Sequence, residues 1–453
     1  MIYQSERGDI RLLLTGDTML SRRLTPFNEP DYLALVELVR GADCAFANFE
    51  TTVRERHEGA PQFQLGTPMT TPPALLDDMR WMGFDIYSGA NNHATDYGVE
   101  GVLAMQAHFR RRNLPLAGIG ANLAEARAPA YVDVAAGRVA LIAANAFFVP
   151  GTQAGEQRAD SPGRPGINPI HFTTTYTVDQ ESLQTLRRLG DKLGLAQEKA
   201  RYRAHFFAAS EAPKDEDSKL NFLGGNFRLG DGFGVSTTAS PADTAGILRA
   251  IREARRQADW VIFSFHFHEF GAGGRLTAQN LTDLEEPAEF VVELSRAAID
   301  AGADVVAGHG PHLTLGLELY KGRPIFYSLG NFALQNDTIE VVPAESYGRF
   351  GLGHEATPAD FLDIRSGNGT RGFPASREYW ESVVATCDFS AGKLAAVTLH
   401  PIDLAFGRPR AQRGRPLLAH GEVAARALQR VRDLSRRYGA DIRIDGERAT
   451  VRL

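Results

Sequence analysis

The stretch "GADVVAGHGPHLTLGLELYKGRPIFYSLGNF" (residues 302–332) indicates the fold class. Its first part, "ADVVAG", has the apolar character of a buried strand, and "LGLELYKGRPIFYSLG" predicts a β-hairpin turned at "KGRP". His309 and His312 lie between these two elements, in a turn rich in glycine. Because imidazoles at a strand end are useful when ligands converge from several strands, we expect further polar residues at other strand ends.

Elsewhere in the chain, short apolar runs alternate with amphipathic segments in the first 150 residues and again after about residue 241. The predicted strands are 10–16, 43–50, 84–93, 138–148, 259–270 and 303–308, and the predicted helices are 30–42, 72–83, 98–113, 241–258 and 284–301. This alternation predicts an α/β layered domain, in which ligands bind beyond the carboxyl ends of the strands.

Three segments interrupt or extend this pattern. Residues 151–240 combine a loop, a long helical stretch and a glycine-rich run, which predicts an insertion or lid on a catalytic domain made of residues 1–150 and 241–407. Residues 335–380 are irregular and rich in glycine and proline. Residues 408–453 predict a basic helix-strand extension, in which the arginines form a solvated helix face.

The composition limits the classes of protein to which this chain can belong. The chain has 453 residues, is 43% hydrophobic and 23% charged, and carries a net charge of -6, which argues against an obligatory nucleic-acid partner. Its two cysteines cannot form a disulfide framework. The sequence shows no apolar run of signal-peptide or membrane-spanning length, so we expect a cytoplasmic protein whose partner is a small-molecule or peptide substrate. Its oligomeric state is left open.

The strand ends carry a consistent set of polar residues. The set comprises Asp17, Glu50, Asn92, His93 with Asp96, His266, His268, His309 and His312. We expect these side chains to converge on one edge of a sheet. Their oxygen and imidazole donors suit Mn, Zn or Fe at one or two sites, with Ca or Mg as further options.

The motifs resemble a known family. "LLLTGDTML", "FANFETTV", "SGANNHATDYG", "FSFHFHEF" and the opening stretch occur in the order typical of the CapA family of capsule and poly-γ-glutamate synthesis proteins. That family belongs to the calcineurin-like metallophosphoesterase superfamily. The resemblance implies a layered, metallophosphatase-like β-sandwich flanked by helices.

The resemblance also implies roles for individual residues. It implies Asp17 and His312 as ligands of one metal ion and Glu50 as the bridge between two ions. The second ion would be held by Asn92, His266 and His309. His93 corresponds to the superfamily's histidine that protonates a leaving group or steadies charge, and Asp96 would orient it.

Two positions depart from the resemblance. The superfamily's first motif usually supplies Asp-x-His, whereas Met19 stands two residues beyond Asp17, so the first site is short of one imidazole. Phe267 and His268 replace the Trp-Gly that often follows the histidine of the fourth motif. The sequence leaves open whether His268 is a ligand, a substrate contact or a turn residue; we predict a substrate contact.

Three reaction classes and one non-catalytic role are compatible with such a site. We expect a metal-dependent hydrolase that cleaves an amide in a peptide-like or poly-γ-glutamate-like substrate. The alternatives are phosphoester hydrolysis, peptide epimerisation with Asp17 and His309 as paired acid and base, and a non-catalytic role in polymer synthesis. The predicted substrate contacts are Arg22, Arg228 and Asn331, with Arg23 and Arg371 as further candidates. Asn331 could instead order the loop behind the metal histidines.

Overall fold

The computed structural model describes residues 7–62, 66–205, 215–271, 279 and 281–453. The chain divides into two compact units. The first comprises Met1–Ile170, Ala242–Glu269 and Leu294–Leu453, and the second comprises His171–Pro241 and Phe270–Glu293. Both units contain sheets and helices, so the predicted mixed α/β class is confirmed.

A ten-stranded sheet forms one layer of the first unit, counted over the described residues. With strands numbered along the chain, it contains β1 (Ile10–Met19), β2 (Cys44–Phe49), β5 (Ile86–Ser88), β6 (Leu116–Ala117), β19 (Asn331–Leu334), β20 (Glu381–Ser390), β21 (Lys393–Asp403), β22 (Leu417–Leu418), β23 (Asp441–Asp445) and β24 (Arg448–Arg452). β1 lies at its centre, where it runs parallel to β2 and β19 and antiparallel to β20.

A six-stranded sheet forms the other layer. It contains β8 (Ala130–Val134), β9 (Gly137–Asn145), β15 (Trp260–His266), β16 (Val305–His309), β17 (Leu317–Tyr320) and β18 (Arg323–Phe326). β9, β15, β16 and β18 are parallel neighbours. β17 and β18 form the predicted antiparallel hairpin around Lys321 and Gly322, both of which have positive φ. Two short pairs complete this unit: β3 (Thr52–Val53) with β4 (Thr70–Thr71), and β7 (Ile119–Gly120) with β10 (Gly166–Ile167).

The two sheets share one apolar core. Leu12 and Leu14 of β1 are fully buried in the same cluster as Ile262 of β15 and Val305 of β16. Alternate residues of a strand face opposite sides, and burying each such side chain contributes about 1.5–3 kcal/mol. Leu13, on the other face of β1, belongs to a second core with the buried residues of the helices. The sheets are therefore packed face to face.

The helices, numbered along the chain, are α1 (Pro30–Arg40), α2 (Leu75–Met82), α3 (Gly98–Arg111), α4 (Leu123–Arg127), α5 (Gln180–Lys192), α6 (Leu195–His205), α7 (Pro241–Arg255), α8 (Glu289–Ala301), α9 (Ala344–Arg349), α10 (Pro358–Ser366) and α11 (Gly421–Ser435). The five helices predicted from periodicity are confirmed. The irregular reading of residues 335–380 is wrong, because α9 and α10 lie there. α10 begins with a capping box of Thr357 and Asp360 and with Pro358 in its first turn, a start signal that the sequence carries.

The second unit holds a four-stranded sheet. Its strands are β11 (Phe172–Val178), β12 (Lys219–Phe222), β13 (Gly225–Leu229) and β14 (Gly234–Ala239), in the order β12-β13-β11-β14. The predicted long helical stretch is divided into α5 and α6, with Gly194 at φ +73 between them. Among the described residues, no helix has both the length and the apolar character that a membrane crossing requires.

The predicted convergence of all the polar strand ends on one edge of a single sheet is wrong. β1, β2 and β5 belong to the ten-stranded sheet, whereas β15 and β16 belong to the six-stranded sheet. Sequence periodicity identifies a strand and the face that it buries, but it does not say which strands are neighbours. The candidate site is therefore built from two sheets.

Candidate functional site

Backbone register brings the polar strand ends together within each sheet. Asp17 of β1 lies opposite Asn48 of β2 and Asn331 of β19. In the other sheet, His266 of β15 lies opposite His309 of β16. Because paired residues of neighbouring strands lie about 5 Å apart, hydrogen bonds of the two sheets fix the spacing of these side chains.

The first group of donor atoms consists of Asp17, His266 and His309, all fully buried. His266 Nδ1 lies 2.9 Å from His309 Nδ1, and Asp17 Oδ1 lies 3.8 Å and 3.6 Å from these two nitrogens. Two atoms that share an ion at about 2.1 Å cannot lie more than about 4.2 Å apart. All three separations satisfy that limit, so this group could hold one divalent ion.

Asp17 is held in place as a carboxylate. Its Oδ1 accepts a hydrogen bond of 2.8 Å from the Asn48 amide, and its Oδ2 accepts one of 3.0 Å from the backbone N–H of Gly310. Burial raises the pKa of Asp17, but the hydrogen bond and charge of His312, together with His266 and His309, outweigh burial and hold the pKa well below its usual range.

The second group consists of Glu50, His268 and His312, whose donor atoms lie within 4.8 Å of one another. His312 Nε2 lies 3.7 Å from Glu50 Oε1. The same oxygen lies 3.7 Å from His266 Nε2 and 3.9 Å from His93 Nε2. These separations exceed hydrogen-bond length, and they leave Glu50 surrounded by imidazole nitrogens.

Glu50 is an orphaned buried carboxylate. It is fully buried, and neither of its oxygens has a hydrogen-bond partner among the described residues. Burial raises the pKa of Glu50 well above its usual value, and the neighbouring Asp17 charge raises it further. A buried carboxylate without a partner is costly, and a cation at this position would remove the cost. Glu50 therefore fits a divalent ion.

Hydrogen bonds to the far ring nitrogens orient the imidazoles. His309 Nε2 lies 2.7 Å from the Ser264 hydroxyl, and His266 Nε2 lies 2.8 Å from Asn92 Oδ1. If both Nε2 atoms donate, the two Nδ1 atoms present lone pairs to the first group. His312 Nδ1 lies 2.9 Å from Asn331 Oδ1, which leaves Nε2 toward Glu50.

Burial favours the neutral form of three histidines of the centre. It lowers the pKa of His266 well below its usual value, that of His268 to about 3 and that of His309 to about 4. Neutral imidazole is the form that coordinates a metal ion.

His93 and Asp96 form a dyad beside the second group. The Nδ1–H of His93 donates to Asp96 Oδ2 at 2.7 Å, and the same oxygen accepts a hydrogen bond of 2.6 Å from the Met69 N–H. Burial raises the pKa of Asp96, while His93 opposes that rise. The dyad fixes the His93 ring so that Nε2 faces Glu50. This arrangement can deliver a proton from Nε2.

The structure gathers most of the predicted site residues. Asp17, Glu50, Asn92, His93, Asp96, His266, His268, His309, His312 and Asn331 belong to the contacts described above. Asn331 uses its whole amide within the protein, because Nδ2 also donates to the carbonyls of His312 and Tyr379. The assigned roles of all these residues stay predictions.

The predicted arginines have other contacts. Arg23 pairs with the buried carboxylate of Asp78 at 2.7 Å, and Arg371 donates to carbonyls at the end of α10. Arg22 is exposed, with its backbone N–H bound to Gln335. Arg228 lies in the second unit, where it donates to Thr177. Their predicted substrate contacts also stay predictions.

Sequence reasoning missed Ser264 and the role of Asn48. Ser264 precedes His266 by two residues and therefore shares its strand face, which is a signal that could have found it. Asn48 stands at a strand end beside Glu50. The contribution of the Gly310 N–H carries no sequence signal beyond glycine next to His309.

Comparisons with known proteins agree with the motifs. The family model described as bacterial capsule synthesis protein PGA_cap matches residues 11–336. The uncharacterized protein y4sH of Sinorhizobium fredii is 34% identical, over 98% of this chain and 93% of its own length. The PGA biosynthesis protein CapA of Bacillus subtilis is 24% identical, over 76% of this chain and 72% of its own length.

Two further matches are more distant. The capsule biosynthesis protein CapA of Bacillus anthracis is 22% identical, over 73% of this chain and 61% of its own length. A hypothetical protein from Thermus thermophilus aligns in structure over 87% of this chain and 99% of its own, at 11% identity and a TM-score of 0.38, which is too low to indicate a shared fold. The family match covers most of the chain, and the protein therefore belongs to the bacterial capsule synthesis protein PGA_cap family.

Proposed function

We propose that the protein is a divalent-metal-dependent hydrolase, with a metallophosphatase-like sandwich, that cleaves an amide in a peptide-like or poly-γ-glutamate-like substrate. One observation carries this proposal: Glu50 is a buried carboxylate without a hydrogen-bond partner, and imidazole nitrogens of His266, His312 and His93 surround one of its oxygens at 3.7–3.9 Å. A purely structural acid would be paired with a donor.

The donor set favours Mn, Zn or Fe. Asp17, His266 and His309 would hold one ion, and Glu50 and His312 would contribute to a second. Asn92 lies beside His266, with its Oδ1 2.8 Å from His266 Nε2. Mixed carboxylate and imidazole ligands suit these metals better than Ca or Mg, which prefer oxygen ligands alone. When bound, such an ion supplies Lewis-acid polarisation of a carbonyl or phosphoryl oxygen and acidifies water.

The chain's own residues supply proton transfer. We propose that His93 donates a proton from Nε2 to the leaving nitrogen of the amide, while Asp96 holds its Nδ1–H. Proton donation by such a positioned side chain typically contributes about 10²–10⁴-fold to the rate. Asp17 and His309 converge on the same donor group at 3.6 Å, which weighs against a pair acting from opposite faces of an α-carbon.

The names of the relatives and two exposed arginine side chains support the proposed substrate class. The relative of Bacillus subtilis is named a PGA biosynthesis protein. A polyglutamate chain would carry many carboxylates, and we propose that Arg22 and Arg228, both exposed, bind them. We also propose that residues 151–240, which include Arg228, select the substrate. Replacing Arg228 with Ala should then raise KM while metal content and kcat stay close to those of the unaltered protein.

Phosphoester hydrolysis is the second candidate. The observation that favours it is the closeness of the two donor groups: His266 contributes Nδ1 to the first, and its Nε2 lies 3.7 Å from Glu50 Oε1 in the second. Two ions held close together suit an in-line displacement at phosphorus. A γ-glutamyl peptide and an aryl phosphate should therefore be tested with the same protein.

The test combines metal analysis with three substrate assays. We expect one or two transition ions per chain in the unaltered protein. His309→Ala and Asn92→Ala should each lose bound metal and turnover. His354→Ala, an exposed control, should change neither. Release of a new amine supports amide hydrolysis, and release of phosphate supports the second candidate. Deuterium incorporation at an α-carbon without cleavage, or a chain that binds no transition ion, would contradict the proposal and favour epimerisation or a non-catalytic role.

A further inference from the structure

The residue at position 19 does not supply a metal ligand in this chain. The superfamily that the motifs resemble has a histidine two residues after its first aspartate, but this chain has Met19. Met19 is fully buried in the apolar cluster that also contains Leu20 and Phe332, and its backbone lies opposite Leu334 of β19. Its side chain therefore belongs to the core, and the second donor group must obtain an imidazole from elsewhere.

His268 lies where an imidazole is needed. It follows the end of β15 by two residues, and its Nε2 lies 3.3 Å from His266 Nε2. Its ring stands edge-on to that of His312, with centroids 5.5 Å apart. One of its nitrogens lies within 4.8 Å of the donor atoms of both Glu50 and His312. His268 therefore lies on the same side of the centre as Glu50, whose carboxylate has no hydrogen-bond partner among the described residues.

A ring platform positions His268. The ring of Phe147 packs against it at a centroid distance of 4.3 Å. Phe147 is fixed in turn, because the Asn145 side chain donates to the Phe147 carbonyl and accepts from its N–H, both at 2.9 Å. Asn145 lies opposite His266 in the six-stranded sheet. Sheet register therefore sets the position of this second histidine as well as that of the first.

We propose that His268 is a metal ligand, and that with Glu50 and His312 it completes a three-residue site by supplying the imidazole that position 19 does not. The inference rests on the proposed function, in that the centre binds metal. Catalytic sites typically use three protein ligands and keep one position open for water or substrate. Without His268, Glu50 and His312 would give this group two protein ligands among the residues that the structure describes.

Manganese titration of the chelator-treated full chain tests the assignment. The variant His268→Phe keeps a flat ring against Phe147 but removes both nitrogens, and His354→Ala serves as the control. We expect two Mn²⁺ per chain for the unaltered protein and the control by calorimetry. For His268→Phe we expect one ion at unchanged affinity and a second bound at least about 100-fold more weakly, since even an indirect ligand contact is worth about 10–100-fold.

Electron paramagnetic resonance provides an independent readout. Two neighbouring Mn²⁺ ions are magnetically coupled, so His268→Phe should convert a coupled spectrum into the six-line signal of one isolated ion. Two ions of unchanged affinity in His268→Phe would overturn the role of His268 while leaving the proposed function intact. A chain that binds no Mn²⁺, Zn²⁺ or Fe²⁺ before any substitution would instead overturn the proposed function. If His268→Phe does not fold, judged by thermal unfolding, His268→Ala with the same expected loss replaces it.

Discussion

At the scale of single residues, Glu50 is the least satisfied group of the centre. Its position follows from sequence, since it stands directly after β2, but its lack of a partner does not. The dyad of His93 and Asp96 is likewise only partly predictable. A spacing of three residues permits the contact between the two side chains, but the turn at Asn92–Thr95 is what brings them together. Residue types at strand ends were predictable, whereas their hydrogen-bond partners depend on packing that no local pattern encodes.

Replacing Glu50 with Gln should have opposite effects on fold and function. We expect the free energy of unfolding in the presence of a chelator to rise by about 1–3 kcal/mol, because a neutral amide of the same shape replaces a buried carboxylate that burial and the Asp17 charge both disfavour in its ionised form. Divalent-ion affinity should fall sharply, as measured by calorimetry. A Glu50→Gln variant that is less stable than the unaltered protein in chelator would contradict the orphaned state of this carboxylate.

Replacing Asn331 with Ala should weaken both stability and metal binding. The change leaves the buried carbonyl of Tyr379 without its donor and frees the His312 ring, so we expect a loss of about 2–3 kcal/mol in the free energy of unfolding and about 10–100-fold in metal affinity. Denaturant unfolding and calorimetry measure the two effects. Asn336→Ala is a matched control five residues along, because the Asn336 amide contacts Met69 and not His312. Equal metal affinity in the two variants would exclude a positioning role for Asn331.

At the scale of elements, the predicted helices and main strands were found because their apolar periodicity is strong. The sheet of the second unit was missed for the opposite reason: β11, "FTTTYTV", is rich in threonine and only partly buried, so it lacks a clear alternation. The register of β1 was also beyond sequence reasoning. β1 makes close contact with the loop before β19, and glycine at position 16 is what permits it.

Replacing Gly16 with Ala should break that contact. An added Cβ would lie 1.8 Å from the carbonyl oxygen of Gly330, which also accepts the Asp17 N–H. Neither group is at the end of a flexible side chain, so we expect a loss of more than about 3 kcal/mol in the free energy of unfolding. Gly8→Ala is the control, because a Cβ there meets nothing within 4 Å and should change stability by less than about 0.5 kcal/mol. Similar unfolding midpoints for both variants would refute the close approach.

At the scale of the whole molecule, the pairing of two sheets was implied by resemblance and not by periodicity. Buried apolar runs predicted both sets of strands, yet nothing local assigns β15 and β16 to a different sheet from β1 and β2. His400, a partly buried residue of β21, provides a test of whether the ten-stranded sheet is folded. Burial, together with the nearby Arg448 and Arg11, lowers the pKa of His400 to about 4.

The pH dependence of stability should include a contribution from His400. Its pKa in the folded protein lies below that of an unfolded histidine, so below about pH 6.5 the unfolded chain binds the proton more readily. Stability is therefore fully present above about pH 6.5 and is lost as the pH falls toward 4. Between about pH 7 and pH 4.5 the unaltered protein should lose on the order of 1–2 kcal/mol more than His400→Gln in denaturant unfolding. An equal loss in both proteins would contradict the depressed pKa.

The register of Asp17 with Asn48, and of His266 with His309, has a consequence for how the centre acquires its ion. Donors anchored on interior strands are already in position once the sheets have formed, so ion capture need not accompany folding. The apoprotein should stay folded when stripped and should accept a replacement ion without being unfolded first. Which metal it carries in a cell would then follow from local supply and from the route of entry, since the coordinating framework is in place before any ion arrives.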